Sequence, residues 1–150
     1  MNATALSHLI LCSSCGATNR VSGERLRESL TPVCGKCGAE LHVSDYPVTV
    51  TDADFSSQVE TSPLPVLLDM WAPWCAPCRM LGPVIDQIAT EMAGRVRVAK
   101  INIDENQMTS ARFNVSSIPT LIVFKGGREV DRMLGVQPKA EILRRLNRLI

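Results

Sequence analysis

The chain has 150 residues, 45% of them hydrophobic and 21% charged, and a formal net charge of +1. That balance describes a globular protein rather than a disordered one, and it offers nucleic acid or a membrane surface no broad electrostatic attraction. The length suits one ordinary domain plus a small appendage. No apolar run approaches a bilayer-spanning length, since Val66-Leu67-Leu68 stops at Asp69. Leu9-Ile10-Leu11 before Cys12 has the outline of a lipoprotein cleavage site, but no Lys or Arg precedes it, which argues against a secretory leader. A cytoplasmic, reducing address is therefore expected.

In such a compartment, six cysteines are metal ligands or redox groups before they are structural staples. They fall into three Cys-x-x-Cys pairs: Cys12/Cys15, Cys34/Cys37 and Cys75/Cys78. The first two share one short segment, and the third stands apart.

Residues 9–43 are rich in Cys, Gly and Ser, and too few to fold by packing alone. Ser44-Asp45-Tyr46-Pro47 reads as a linker, so the expected division is 1–45 and 46–150. Val48-Thr49-Val50 suggests a strand, and Thr51-Asp52 a cap on a short helix toward Val59. Val66–Trp71 is apolar apart from Asp69, as a buried central strand should be. After a loop at Pro73–Pro77, Leu81, Val84, Ile85, Ile88 and Met92 recur at helical spacing, with a kink expected at Pro83. Val96–Asn102 alternates as a strand, and Glu105–Phe113 can form a short helix. Thr120–Phe124 and Glu129–Met133 read as a hairpin across Lys125-Gly126-Gly127-Arg128. Gln137-Pro138 opens a final helix with Ile142, Leu143, Leu146 and Leu149 on one face. The order β-α-β-α-β-α-β-β-α implies an α/β fold: a mixed sheet with helices on both sides.

Cys12-Ser-Ser-Cys15 and Cys34-Gly-Lys-Cys37 have the spacing of a zinc ribbon, with two turns presenting four thiolates as a tetrahedron. Gly16 and Gly38 follow each pair and suit the unusual dihedrals of such turns. The expected cofactor is one structural Zn2+ per chain, with no open coordination position and no organic cofactor. A mononuclear iron, two disulfides or free thiols are the alternatives. His8 and His42 lie near enough to replace a cysteine, but four cysteines are already in register.

The third pair reads Trp71-Ala72-Pro73-Trp74-Cys75-Ala76-Pro77-Cys78. Cys75 falls where a strand gives way to a helix. Unpaired amides and the helix dipole there favour a thiolate, the nucleophile of disulfide exchange. Cys78, one turn on, is placed to resolve a mixed disulfide. Asp69 is a carboxylate in an apolar strand. Such a group is costly to bury unless it is neutralised or paired, and with a raised pKa its ionised form could accept the Cys78 proton; the alternative is a strand-end carboxylate that reaches solvent. Lys100 on the adjacent strand is its expected partner. Ile118-Pro119-Thr120 precedes a strand, and the isomer of Pro119 is open.

Taken together, Val66–Cys78, Lys100-Ile101-Asn102-Ile103-Asp104, Ser117-Ile118-Pro119-Thr120 and Gly135 resemble the thioredoxin family over about Val48–Ile150. With the four amino-terminal cysteines, the chain is similar to the zinc-containing bacterial thioredoxin 2 type. The resemblance implies a thioredoxin fold, a nucleophile at Cys75, a resolving thiol at Cys78 and a buried proton acceptor at Asp69 with Lys100 beside it. It also implies a substrate groove built from Trp74, Ala76, Pro77, Ile118, a cis Pro119 and Gly135. The implied partners are an NADPH-dependent, flavin-containing thioredoxin reductase and oxidised protein substrates. Neither nucleic acid nor a membrane is expected as a partner, and the simplest assembly is a monomer. One departure is Ala76, where thioredoxins usually carry Gly between the cysteines; another is Met70, where many carry Phe. Competing readings are a disulfide oxidase or isomerase on the same fold, and a redox-independent docking or holdase module.

Overall fold

The computed structural model describes residues 7–12, 14–22, 31–41 and 45–150, with side chains from Leu9 onward. Ser44 of the expected linker, His42 and the side chain of His8 lie outside them. The chain divides into two compact units, Met1–Val43 and Ser44–Ile150.

In the first unit, β1 (Ser7–Leu11) and β2 (Thr18–Ser22) form an antiparallel hairpin that the Cys/Gly-rich composition did not reveal. Its apolar core is small: Ile10, Val21 and Leu41 with the sulfurs of Cys12 and Cys34.

In the second unit, five strands stand in the order β3-β5-β4-β6-β7. They are β3 (Val48–Thr49), β4 (Val66–Trp71), β5 (Arg97–Asn102), β6 (Thr120–Lys125) and β7 (Arg128–Leu134). β3 and β4 pair with β5 in parallel, while β6 pairs antiparallel with β4 and β7, so the sheet is mixed as expected. The helices are α1 (Ala76–Glu91), α2 (Gln107–Arg112) and α3 (Lys139–Leu149).

Strand alternation sends side chains to two cores. Leu67, Val98, Leu121 and Val123 face α1 and α3, packing on Leu81, Ile85, Ile88, Ile142 and Leu146. Leu68, Met70, Ile101, Ile122 and Phe124 face the other way, toward Phe55 and Val59. Phe55, Phe113 and Phe124 meet there with ring centroids 5.2–5.8 Å apart. Met70 is fully buried among them, an unbranched side chain able to fill space shaped by three rings.

Two local expectations are corrected. The segment after Thr51 holds a π turn, Ser56–Glu60, and Thr51 opens that segment as expected, with the Asp54 amide donating to Thr51 Oγ1 at 3.4 Å and the Thr51 amide to Asp54 Oδ1 at 2.6 Å. Asp52 does not cap it: its carboxylate accepts from the Met108 and Thr109 amides at 3.2 and 2.9 Å and so caps α2, far along the chain. α1 also begins at Ala76, two residues before the end of the expected Pro73–Pro77 loop would allow, and its span includes Pro83.

The β6–β7 turn depends on two glycines with positive φ, 62° at Gly126 and 79° at Gly127. A Cβ on Gly126 would meet nothing, but one on Gly127 would lie 2.7 Å from the Glu60 carbonyl oxygen. Gly126→Ala should therefore cost about 1 kcal/mol from backbone strain alone. Gly127→Ala should cost about 2 kcal/mol or more, because the π turn must also move. Urea unfolding of the two variants checks the difference.

Candidate active site and four-cysteine cluster

β4 ends at Trp71, and the chain turns so that Cys75 becomes the N-cap of α1 with φ −88° and ψ 107°. Cys75 and Cys78 are joined as a disulfide, their Cα atoms 5.3 Å apart, within the ordinary span for such a bond. The Cys78 amide donates to Cys75 Sγ at 3.2 Å, so an otherwise unpaired amide of the first turn points at the sulfur. Pro77 occupies the first turn, where its missing donor leaves no bond unmade. Both cysteines are buried, at 4% exposed, while Trp74 beside them is 67% exposed. The Trp74 indole donates to Asp104 Oδ2 at 2.9 Å, which fixes its ring over the surface.

Across from this helix start, the Ile118–Pro119 bond is cis. The Ile118 carbonyl oxygen lies 3.8 Å from Cys75 Sγ. The Gly135 amide donates to the Pro119 carbonyl at 2.8 Å, tying the end of β7 to the same loop. Cys75, Ile118, Pro119 and Gly135, far apart in the chain, thus lie together.

Asp69 is 1% exposed, and its Oδ1 accepts no hydrogen bond. Its alternation with Leu67 places it on the sheet face that α1 covers, so the strand-end route to solvent is ruled out. Burial pushes its pKa up to about 7; the Lys100 charge works against this rise and that of Asp86 adds to it. Lys100 stands opposite Asp69 in the parallel register, but its ammonium sits over the Trp71 ring, 5.3 Å from the centroid. The roles of Asp104, Asp86 and Trp71 were not read from the sequence. For Trp71 a signal existed: it follows Asp69 by two residues in a strand and so shares its face.

In the first unit the two knuckles repeat one geometry. Cys12 and Cys34 amides donate to Ala17 and Ala39 carbonyls at 2.9 and 2.8 Å, and Gly16 and Gly38 amides donate back to Cys12 and Cys34 at 2.9 Å each. Gly16 and Gly38 have φ of 75° and 79°, the unusual dihedrals expected of them. All four sulfurs lie within 4.8 Å of one another, with Cys12–Cys37 at 3.5 Å and Cys15–Cys34 at 3.6 Å, and none is in a disulfide. Sulfurs bound tetrahedrally to zinc stand roughly 3.8 Å apart, given a bond of about 2.3 Å. The donor set therefore fits a structural metal. The Cys37 amide, with help from Asn19 and Lys36, holds Cys34 down to about 6. At Cys37 the Ala39 amide favours the thiolate, but the neighbouring sulfurs outweigh it and push the thiol up to about 11. Four crowded sulfurs cannot all ionise without a cation between them.

The model of the family described as Thioredoxin matches residues 46–148, and that described as Thioredoxin 2, N-terminal matches residues 11–39. The chain belongs to the thioredoxin family. It is 48% identical over 101 residues to the Thioredoxin of Haemophilus influenzae, covering 67% of this chain and 94% of that one. It is 46% identical over 99 residues to Thioredoxin 1 of a Nostoc species, 66% and 92% of the two chains. With the Thioredoxin of Alicyclobacillus acidocaldarius it shares 50% identity over 95 residues, 63% and 90%. The protein is a thiol–disulfide oxidoreductase that reduces protein disulfides, on a thioredoxin fold with an amino-terminal cysteine cluster consistent with a zinc ribbon. Among the described residues, no helix is long and apolar enough to cross a membrane.

The buried carboxyl yields a pH prediction. Asp69 has a folded pKa of about 7 against an ordinary value of 3.8. Its raised pKa gives stability that is full below pH 4 and is lost as pH rises through 7. Asp69→Asn should thus be more stable than the parent above pH 7, by about 3–4 kcal/mol. The gap should close as pH falls toward 4. Urea unfolding at several pH values measures it.

Proposed function

We propose that Cys75 is the attacking thiol, Cys78 the resolving thiol and Asp69 the acceptor of the Cys78 proton. The observation that carries this reading is the Cys75–Cys78 disulfide at the start of α1, with the Cys78 amide aimed at Cys75 Sγ. In the dithiol form those first-turn amides favour a Cys75 thiolate. The thiolate attacks one sulfur of a substrate disulfide, and the other sulfur leaves as a thiolate that takes a proton from water. Asp69 then removes the proton of Cys78. The Cys78 thiolate attacks Cys75 Sγ, closes the intramolecular disulfide and expels the second substrate thiolate. Two electrons pass from the dithiol to the substrate. A Lys100 charge in register with Asp69 favours its ionised form.

The substrate chain lies along Trp74, Ala76, Pro77, Ile118, Pro119 and Gly135. The exposed Trp74 face and the loop tied together at Pro119 support this surface. An NADPH-dependent, flavin-containing reductase recharges the disulfide, and the setting is a reducing cytoplasm. Cys12, Cys15, Cys34 and Cys37 hold one zinc ion, which when bound supplies a crosslink and no redox chemistry. Residues 1–45 and 46–150 act as separate domains, the first held by its metal and the second by its apolar cores.

Cys75→Ser should abolish disulfide reduction. Cys78→Ser should accumulate a mixed disulfide with substrate, visible by non-reducing mass analysis. The opposite pattern would exchange the two roles. Elemental analysis should find one zinc per full-length chain. A chelator should collapse the NMR signals of Cys12, Cys15, Cys34, Cys37 and the β1–β2 hairpin while leaving substrate reduction by Cys75 in place.

A further inference from the structure

Three observations around Asp69 are left over from the exchange chemistry. Its Oδ1 is buried with no partner. Lys100 stands directly opposite in the β4–β5 register and its charge acts on Asp69, yet no ion pair joins the two. Its ammonium instead lies 5.3 Å from the centroid of the Trp71 ring. Trp71 follows Asp69 by two residues, so the ring and the carboxyl project from the same sheet face, side by side. The π face of tryptophan is the best aromatic partner for an ammonium, most of all where water is scarce.

We propose that Trp71 is a positioning residue that captures the Lys100 ammonium and holds it off the Asp69 carboxyl. The consequence is a carboxyl kept near neutrality in charge and ready to exchange a proton close to physiological pH. That catalytic consequence rests on the reading of Asp69 as proton acceptor; the capture itself does not.

The other groups facing Asp69 do not offer a substitute for Lys100. From α1 comes Asp86, whose charge raises the pKa further. β6 sets Leu121 opposite Asp69, and its single ionisable side chain, Lys125, is at the far end of the strand. α3 meets this face with Ile142 and Leu146, while Glu141, Arg144 and Arg145 engage one another and Asp131. Of the remaining cations on these elements, Arg79 and Arg148 are exposed and Lys139 pairs with Glu91, so Lys100, in register with Asp69, is the cation whose charge acts on it, and Trp71 sets where it rests.

The test is the titration of the Asp69 carboxyl by carbon NMR in the reduced, full-length protein. In Trp71→Leu the ammonium is released toward the carboxyl, and the pKa should fall by about one unit, the effect of an opposite charge at close range. Trp71→Phe keeps a weaker aromatic face and should give a smaller fall. Adding Lys100→Met to either variant should abolish the fall relative to Lys100→Met alone. An unchanged titration in Trp71→Leu overturns the proposal. So does a fall that persists with Lys100→Met, which would mean that water, not the ammonium, reached Asp69. Should Trp71→Leu not fold, Trp71→Phe with and without Lys100→Met decides alone. The pH profile of mixed-disulfide resolution is read in parallel. If the NMR titration moves and that profile does not, Trp71 still captures Lys100, and the proton-acceptor role of Asp69 is the part that fails.

Discussion

Burial of β4 on both faces is the constraint from which the site follows. Val66 to Met70 are all withdrawn from water, with one core above the strand and another below. A slip of one residue would turn Asp69 into the aromatic core and Leu68 toward α1, so the register is fixed. With the register fixed, the strand delivers Cys75 to the start of α1 and Asp69 to the underside of that helix. β6, paired to the same strand, brings the Pro119 loop to Cys75. One buried strand thereby positions the Cys75–Cys78 disulfide, a buried carboxyl and the loop that faces the disulfide.

The two units obey different physics. The larger one has enough apolar surface to fold by packing, and its polar anchors, such as Asp52 on α2, refine it. The smaller one buries three aliphatic side chains and two sulfurs in its described core, far less than chain entropy demands. Its knuckles are nonetheless well formed, with matching hydrogen bonds and glycines that adopt positive φ. That combination suits a unit whose stability is supplied by ion–sulfur bonds, since binding energy at such a site is folding energy.

Much of this was legible in the chain because the signals were local. Cys-x-x-Cys spacing, the apolar run broken by Asp69 and the helical period after Cys78 each arise from short-range geometry. What escaped was non-local or conformational. The β1–β2 hairpin has a polar face and few apolar residues. Asp52 sits before one turn and caps another helix more than fifty residues on. Asp104 holds Trp74 across 30 residues of sequence. The placement of Lys100 on the strand beside Asp69 points to an ion pair; the ring that competes for the ammonium becomes visible only when strand alternation and register are combined.

The most direct test of the account is the equilibrium reduction potential of the Cys75–Cys78 pair against a glutathione buffer, with the other four cysteines kept metal-bound. A reductase requires a strongly reducing value, near the roughly −270 mV at which thioredoxins stand, and this is the predicted result even with Ala76 between the cysteines. About 30 mV corresponds to roughly 1.4 kcal/mol for this two-electron couple, so the distinction is easily resolved. A value of about −180 to −120 mV, in the range of isomerases and oxidases, would contradict the account by reversing the direction of electron flow.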